Sequence, residues 1–361
     1  MTAPVMVIAE AGVNHNGRLD TAVALVDAAA DAGADVVKFQ TFRAGELATR
    51  EAVQADYQIR NTAKIESQLD MLKALELDDA AHRKLLNHCR HRGIAFLSTP
   101  FDHQSLALLV EGLGLGRIKV GSGDLTNAPL LLAIARHNCD AILSTGMATL
   151  DEIQDALGAL ALGYAVGGEP GRTPFKAAYN CKAGKDALRK KVVLLHCTSD
   201  YPAADDEINL RAIDALVERF GLPVGFSDHS TGIAVPIAAV ARGATVIEKH
   251  LTLDRAMPGP DHLASIEPAE FKAMVAGIRQ VERALRPGGK APTRSELKTR
   301  PIARKSIVAR APIRQGELFT AENLAVKRPG TGLSPALLWD LIGRRASAAY
   351  GADDLIREQL E

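Results

Sequence analysis

The chain is short of aromatic residues. Tyr, Phe and Trp make up 4% of its 361 residues, with a single Trp, too few for the stacking platforms that hold single-stranded nucleic acids. It also lacks an excess of either charge: 43 Lys and Arg balance 43 Asp and Glu. No electrostatic pull toward nucleic acid or an anionic membrane is therefore expected. Its four cysteines, Cys89, Cys139, Cys181 and Cys197, are scattered without a CxxC spacing. That excludes a disulfide framework and reads as reduced thiols in a cytoplasmic protein. No apolar run reaches membrane-spanning length. The opening MTAPVMVIAEAG enters a strand pattern with no basic segment before it, so no secretory signal is expected. What remains is 47% hydrophobic and long enough for a barrel with a small appendage.

Eight short apolar runs punctuate the first 252 residues, at 5–12, 34–42, 94–101, 117–123, 141–147, 192–202, 224–230 and 246–252. Helix-like segments follow them, among them LDTAVALVDAAADAG, AAHRKLLNHCRHRG, INLRAIDALVERFG and TLDEIQDALGALALG, the last opening on the capping pattern Thr149-x-x-Glu152. Repeated β-then-α units predict an α/β chain folded as a (β/α)₈ barrel rather than a doubly wound sheet. Residues 1–285 are assigned to that barrel. The Pro-, Gly- and charge-rich stretch 286–300 reads as a linker, and 301–361 as a small β-rich second domain. Residues 163–191 read as an irregular surface insertion with partial helix near its end.

Polar residues gather at the C-terminal ends of the runs: Glu10, Lys38, Gln40, Ser98, Thr99, Lys119, Ser122, Asp124, Ser144, Ser199, Tyr201, Ser227, His229, Glu248 and His250. That is the face on which barrels of this type carry their chemistry. Strands lie about 4.8 Å apart, so His229 and His250 on neighbouring strands can share one divalent ion and leave positions open for water and substrate. Two satisfied histidines at the barrel mouth are the plain structural alternative. Lys38 and Lys119 among hydroxyls suit a small phosphorylated, carboxylated anion, or else pair with Glu10, Asp124 and Glu248. Glu10 faces the same mouth and can transfer a proton. In the run VIEKHLT, alternation places Glu248 and His250 on the inner face with Val246. GLGLG (112–116) precedes a strand, so it is no dinucleotide fingerprint. The His and Cys of HRKLLNHCRHRG do not share a helix face, which disfavours zinc there.

The motifs IAEAGVNHNG, DVVKFQTF, YQIRNTAKIESQLDM, LSTPFD, KVGSGDLTN, ILSTGMAT, GFSDHSTG, EKHLTLDRAMPGPDHLAS and RKSIVA…KRPGTG, in this order, closely resemble the bacterial sialic acid synthases. The resemblance runs from about residue 5 to 350. It implies a (β/α)₈ TIM barrel followed by an antifreeze-like (SAF, β-clip) domain. The implied reaction joins phosphoenolpyruvate, an N-acylated mannosamine and water, releasing phosphate, in a domain-swapped homodimer with Mn²⁺ (Mg²⁺ or Co²⁺ as alternatives). It makes His229 and His250 the metal ligands. Lys38, Gln40, Thr99, Lys119, Ser122, Ser144 and Ser227 become the phosphoenolpyruvate contacts, and Glu10 handles the proton of the attacking water. Asn61, Ser199, Tyr201 and Asp261 fall at the sugar, with Glu248 supporting His250. Arg328 is implied to reach a partner's barrel.

Within that family the expectation is N-acetylneuraminate from N-acetylmannosamine. The runner-up is N,N′-diacetyllegionaminate from 2,4-diacetamido-2,4,6-trideoxymannose. HCTSDYPAADDEINL carries Ser199 near where other members have an asparagine, and the stretch 163–191 is longer than in the shortest members. Both departures bear on the sugar rather than the reaction. A carbohydrate- or ice-binding module on a degenerate barrel has no use for the Glu, Lys and His set. An aldolase working through a lysine Schiff base is separable by borohydride inactivation.

Overall fold

Alternation along each apolar run builds the barrel wall. In the computed structural model, which describes residues 4–62, 65–285 and 288–359, eight parallel strands form: β1 (Met6–Gly12), β2 (Val36–Thr41), β3 (Ala95–Pro100), β4 (Arg117–Val120), β5 (Asp140–Ser144), β6 (Val192–Cys197), β7 (Val224–Asp228) and β8 (Val246–His250). They are hydrogen-bonded in the order β3-β2-β1-β8-β7-β6-β5-β4, and β3 also touches β4, which closes the ring. Each expected run contains one strand. Most runs outlast their strands at the C-terminal end, so Ser199, Tyr201 and His229 sit on loops and Ser122 opens a 3₁₀ turn, Ser122–Asp124.

The inner face carries one apolar plug made by Ile8, Val36, Leu97, Ile142, Leu195 and Val246. Two residues further along these strands the same face presents Glu10, Lys38, Thr99, Ser144, Cys197 and Glu248, because the side-chain period of a strand is two. Gly225 is the inner residue of β7. A Cβ there would lie 2.7 Å from the Leu195 and Val246 side chains, so its absence leaves room for the plug. The other face packs Val7, Val37, Phe39, Leu143, Leu194, Phe226 and Ile247 against the helices, each large side chain contributing roughly 1.5–3 kcal/mol by burial.

Two regions differ from the sequence expectation. Residues 163–191 are mostly ordered as two α-helices, Arg172–Asn180 and Lys182–Lys191, the first packed on the helix Leu150–Ala161. That last helix does begin with the Thr149–Glu152 capping box. The β2–β3 connection adds short helices Ala44–Leu47, Asp56–Thr62 and Gln68–Leu75 before the helix Asp79–Arg92. Among the described residues, no helix is long and apolar enough to cross a membrane.

The chain divides into compact units Met1–Arg286 and Pro287–Glu361. In the second, β9 (Ser306–Ala309) pairs antiparallel with β10 (Leu324–Lys327) over a core that includes Ile307, Phe319, Leu341 and Ile356. Part of the expected linker is regular: residues 294–303 form a helix opened by a Thr293–Glu296 capping box. Arg328 follows β10, is exposed, and donates from Nε to the Ala303 carbonyl at 3.1 Å.

Candidate active site

A cavity of about 510 Å³ opens at the C-terminal ends of the strands. Of the residues singled out from sequence, Glu10, Lys38, Gln40, Thr99, Lys119, Ser122, Ser144, Ser199, Tyr201, Ser227, His229, Glu248, His250 and Asp261 all line it. Asn61 does not. Its amide donates to the Pro260 carbonyl at 2.7 Å, so it fastens the helix Asp56–Thr62 to the loop after β8. Arg328 belongs to the other unit.

The floor is a chain of buried charges. Lys38 Nζ stands 2.6 Å from Glu10 Oε1, 3.5 Å from Glu248 Oε2 and 3.4 Å from Thr99 Oγ1. Lys119 Nζ donates to Ser144 Oγ at 2.7 Å and lies 3.4 Å from Glu248 Oε1, which also accepts from Ser227 Oγ at 2.9 Å. The lysines pair with Glu10 and Glu248, though not with Asp124, and both face the cavity. Asp124 stays apart and accepts from Asn127 Nδ2 at 2.9 Å.

Burial works against every charge here, and the neighbours decide the outcome. It would raise the Glu10 carboxyl, but His250, Lys38 and Lys119 outweigh it and hold Glu10 well below the ordinary carboxylate range. Burial would lower Lys38, yet Glu10 and Glu248 hold it above its ordinary value. For Lys119 burial prevails, aided by repulsion from Lys38, and its ammonium is lowered. Lys119 is thus the less compensated cation, and an incoming anion gains most beside it.

The strand register corrects one expectation. Glu248 was expected to support His250, but its partners are Ser227 and the two lysines. The residue against His250 is Glu10, with Oε2 3.4 Å from His250 Nε2, because β1 and β8 pair Glu10 directly with His250.

His229 and His250 lie side by side with ring centroids 5.6 Å apart. His229 Nδ1 donates to the Thr198 carbonyl at 2.6 Å, which leaves Nε2 as a lone-pair donor to a metal. Burial, then His250, pushes the His229 pKa down to about 3, so the ring stays neutral as ligation requires. His250 keeps a buried Nδ1 without a hydrogen-bond partner. Among the described residues no three His, Cys, Asp or Glu side chains converge as a metal cage. The donor set thus fits an ion with two protein ligands and open positions, not a closed structural site.

Sequence reasoning missed part of the wall. Tyr57 packs tilted against Tyr201 with ring centroids 4.8 Å apart, and the Tyr201 centroid lies 4.1 Å from that of His229. Leu47, Met71, Leu72 and Leu75 give the cavity an apolar flank. The helical spacing of QLDMLKAL was a signal for that flank; nothing in the sequence pointed to the Tyr57 contact. Gly146 is also needed. A Cβ there would sit 2.7 Å from Cys197 Sγ and 2.8 Å from Ser122 Oγ, and its N–H donates to Ser122 Oγ at 3.0 Å.

Residues 25–290 match the NeuB family and residues 304–359 the SAF domain. The chain is 48% identical to an N,N′-diacetyllegionaminic acid synthase of Campylobacter jejuni, covering 98% of this chain and 99% of that protein. It is 43% identical to the N,N′-diacetyllegionaminic acid synthase of Legionella pneumophila, over 98% and 94% of the two chains. A solved N-acetylneuraminic acid synthetase from Leptospira borgpetersenii, in complex with citrate, superposes with a TM-score of 0.66 at 32% identity, covering 82% of this chain and 90% of the other.

Proposed function

The chain belongs to the NeuB family, with a C-terminal SAF domain, and from that premise we propose that it makes N,N′-diacetyllegionaminate. The substrates are phosphoenolpyruvate and 2,4-diacetamido-2,4,6-trideoxymannose. Membership supports the reaction class, transfer of a three-carbon unit from phosphoenolpyruvate with formation of a carbon–carbon bond. The sugar is the finer step. The first expectation from sequence, N-acetylneuraminate, gives way here to the runner-up. The observation that carries the change is near-full-length identity of 48% and 43% to two legionaminate synthases, against 32% to a neuraminate synthetase. The quoted motifs report the shared reaction and are silent on the sugar. The apolar flank of Leu47, Met71, Leu72 and Leu75 suits a sugar with a methyl in place of a hydroxymethyl and a second acetamido methyl.

In this reading Lys119 and Lys38, with Gln40, Thr99, Ser122, Ser144 and Ser227, hold phosphoenolpyruvate. Carbon 3 of phosphoenolpyruvate attacks the open-chain aldehyde of the sugar. Water then adds at carbon 2, and phosphate departs with its bridging oxygen. Glu10, ionised between Lys38 and His250, accepts the proton of that water. Tyr201, Ser199 and Asp261 border the sugar, and Asn61 acts one step back by holding Pro260. His229 and His250 would hold a divalent ion, Mn²⁺ before Mg²⁺ or Co²⁺, and that ion would supply Lewis-acid polarisation of the aldehyde oxygen. We further propose a homodimer in which Arg328 serves the partner's barrel.

The test is phosphate release from phosphoenolpyruvate with each sugar. A specificity constant more than about tenfold higher for the trideoxy sugar is expected. A preference for N-acetylmannosamine would return the neuraminate reading. Excess chelator should stop turnover and Mn²⁺ restore it; activity that persists in chelator would remove the metal.

A further inference from the structure

Behind the two histidines, on the outer side of the barrel wall, lies an ion pair that the chemistry above does not use. Lys249 Nζ donates to Asp228 Oδ2 at 2.6 Å, and both side chains are 0% exposed. Asp228 immediately precedes His229, and Lys249 immediately precedes His250. On β8 the alternation that turns Glu248 and His250 inward turns Lys249 outward, and the register pairs Asp228 with Lys249. The pair therefore fastens β7 to β8 at the level of the histidines.

Its remaining bonds close a loop around His229. Asp228 Oδ1 accepts from Ser230 N at 2.9 Å and from Ser230 Oγ at 2.7 Å, so the carboxylate spans the backbone on both sides of His229. Lys249 Nζ also donates to the Ser230 carbonyl at 2.5 Å, which ties that loop to β8. The His229 ring is then set from a third direction by the Thr198 carbonyl. Stability is a poor explanation for such a pair. Burying two charges costs much of what their attraction returns, and apolar replacements of similar volume are often as stable.

We propose that Lys249 and Asp228 are positioning residues that fix the separation of His229 and His250 for one shared divalent ion. The inference rests on the metal reading above and names the device that holds its geometry. Outer-shell partners of metal ligands typically change affinity by about 10–100-fold.

The experiment uses the full chain carrying Lys249→Met together with Asp228→Leu. Mn²⁺ binding is read by electron paramagnetic resonance without substrate, alongside melting temperature and phosphate-release kinetics. The double variant is expected to melt within a few degrees of wild type and to bind Mn²⁺ about tenfold or more weakly. Turnover should fall while KM for phosphoenolpyruvate moves less than about twofold, since that anion's contacts are untouched. Wild-type Mn²⁺ affinity in the folded double variant overturns the proposal. If the double variant does not fold, Ser230→Ala decides. It removes one anchor of Asp228 and should weaken Mn²⁺ by roughly threefold, and an unchanged affinity overturns the proposal. A wild-type protein that binds no Mn²⁺ sinks the metal reading and the proposal with it. Binding that is equal in wild type and variant sinks the proposal alone.

Discussion

Glu10 and His250 face each other directly across β1 and β8, with Oε2 and Nε2 3.4 Å apart, while the other oxygen of Glu10 is 2.6 Å from Lys38 Nζ. A carboxylate held between a cation and a candidate metal ligand is ionised and oriented, as a proton acceptor must be, although the same neighbours hold its basicity down. Glu10→Gln keeps the shape and removes the basicity. It is expected to lower kcat by about 10²–10⁴-fold with KM for phosphoenolpyruvate within a few-fold. Steady-state phosphate release measures both, and a kcat within a factor of about three would remove Glu10 from proton transfer.

Lys119 carries the second prediction. Its ammonium is lowered by burial and by Lys38, and its hydrogen bonds go to Ser144 Oγ and the Val120 carbonyl. A bound anion adds the compensation it lacks, and losing one charge-assisted contact costs about 1.5–3 kcal/mol. Lys119→Ala should therefore raise KM for phosphoenolpyruvate by roughly 10–100-fold and that for the sugar much less. Equal effects on both constants would place Lys119 outside the anion cradle.

The barrel was legible because its signals are local. Short apolar runs followed by amphipathic helices give β-then-α units, and a period of two assigns the inner face. Glu10, Lys38, Ser144, Ser227, Glu248 and His250 follow from that rule alone. Their partners do not, because partners depend on the stagger between strands. Glu248 meets Ser227 and the lysines through the β7–β8 register, so its assignment to His250 failed. The Lys249–Asp228 pair is illegible in the sequence for a related reason: parity turns both side chains outward, and only the register joins them. The helix at residues 294–303 was readable, since Thr293-x-x-Glu296 repeats the pattern recognised at Thr149. Composition hid it, as Pro, Gly and charge around it suggest a linker.

Buried neutral histidines predict how stability follows pH. Burial pushes His15 and His262 down to about 4 in the folded chain, and burial also lowers His82. Unfolded histidines titrate near 6.5. Between these values the unfolded state holds more protons, so stability is full above about pH 6.5 and falls as pH drops toward about 4. The loss is on the order of 3 kcal/mol for each of His15 and His262 by about pH 4. Trp339 lies in the second unit, so urea unfolding of the barrel is followed by far-UV circular dichroism. The midpoint should drop between about pH 7.5 and pH 4.5, and less so in His262→Gln. A flat midpoint across that window would contradict the burial argument.

Arg328 carries the last prediction, that the second domain serves the partner's barrel. A guanidinium suits a planar amide oxygen such as that of an N-acyl group. Within its own unit Arg328 is exposed and, among the described residues, commits only Nε, to the Ala303 carbonyl, which leaves its terminal nitrogens available to a ligand. The competing account is a tethered stability domain whose arginine meets only water. Mixed dimers separate the two. One subunit carries His250→Ala and the other Arg328→Ala, each inactive alone. If the arginine acts in trans, the intact barrel of the second subunit receives the intact arginine of the first, and one site in each mixed dimer works. If it acts in cis, every site has a lesion. Purified mixed dimers should recover toward about half the wild-type kcat, as expected when one of two equivalent sites is complete. No recovery in proven heterodimers would place Arg328 in cis or outside the site altogether.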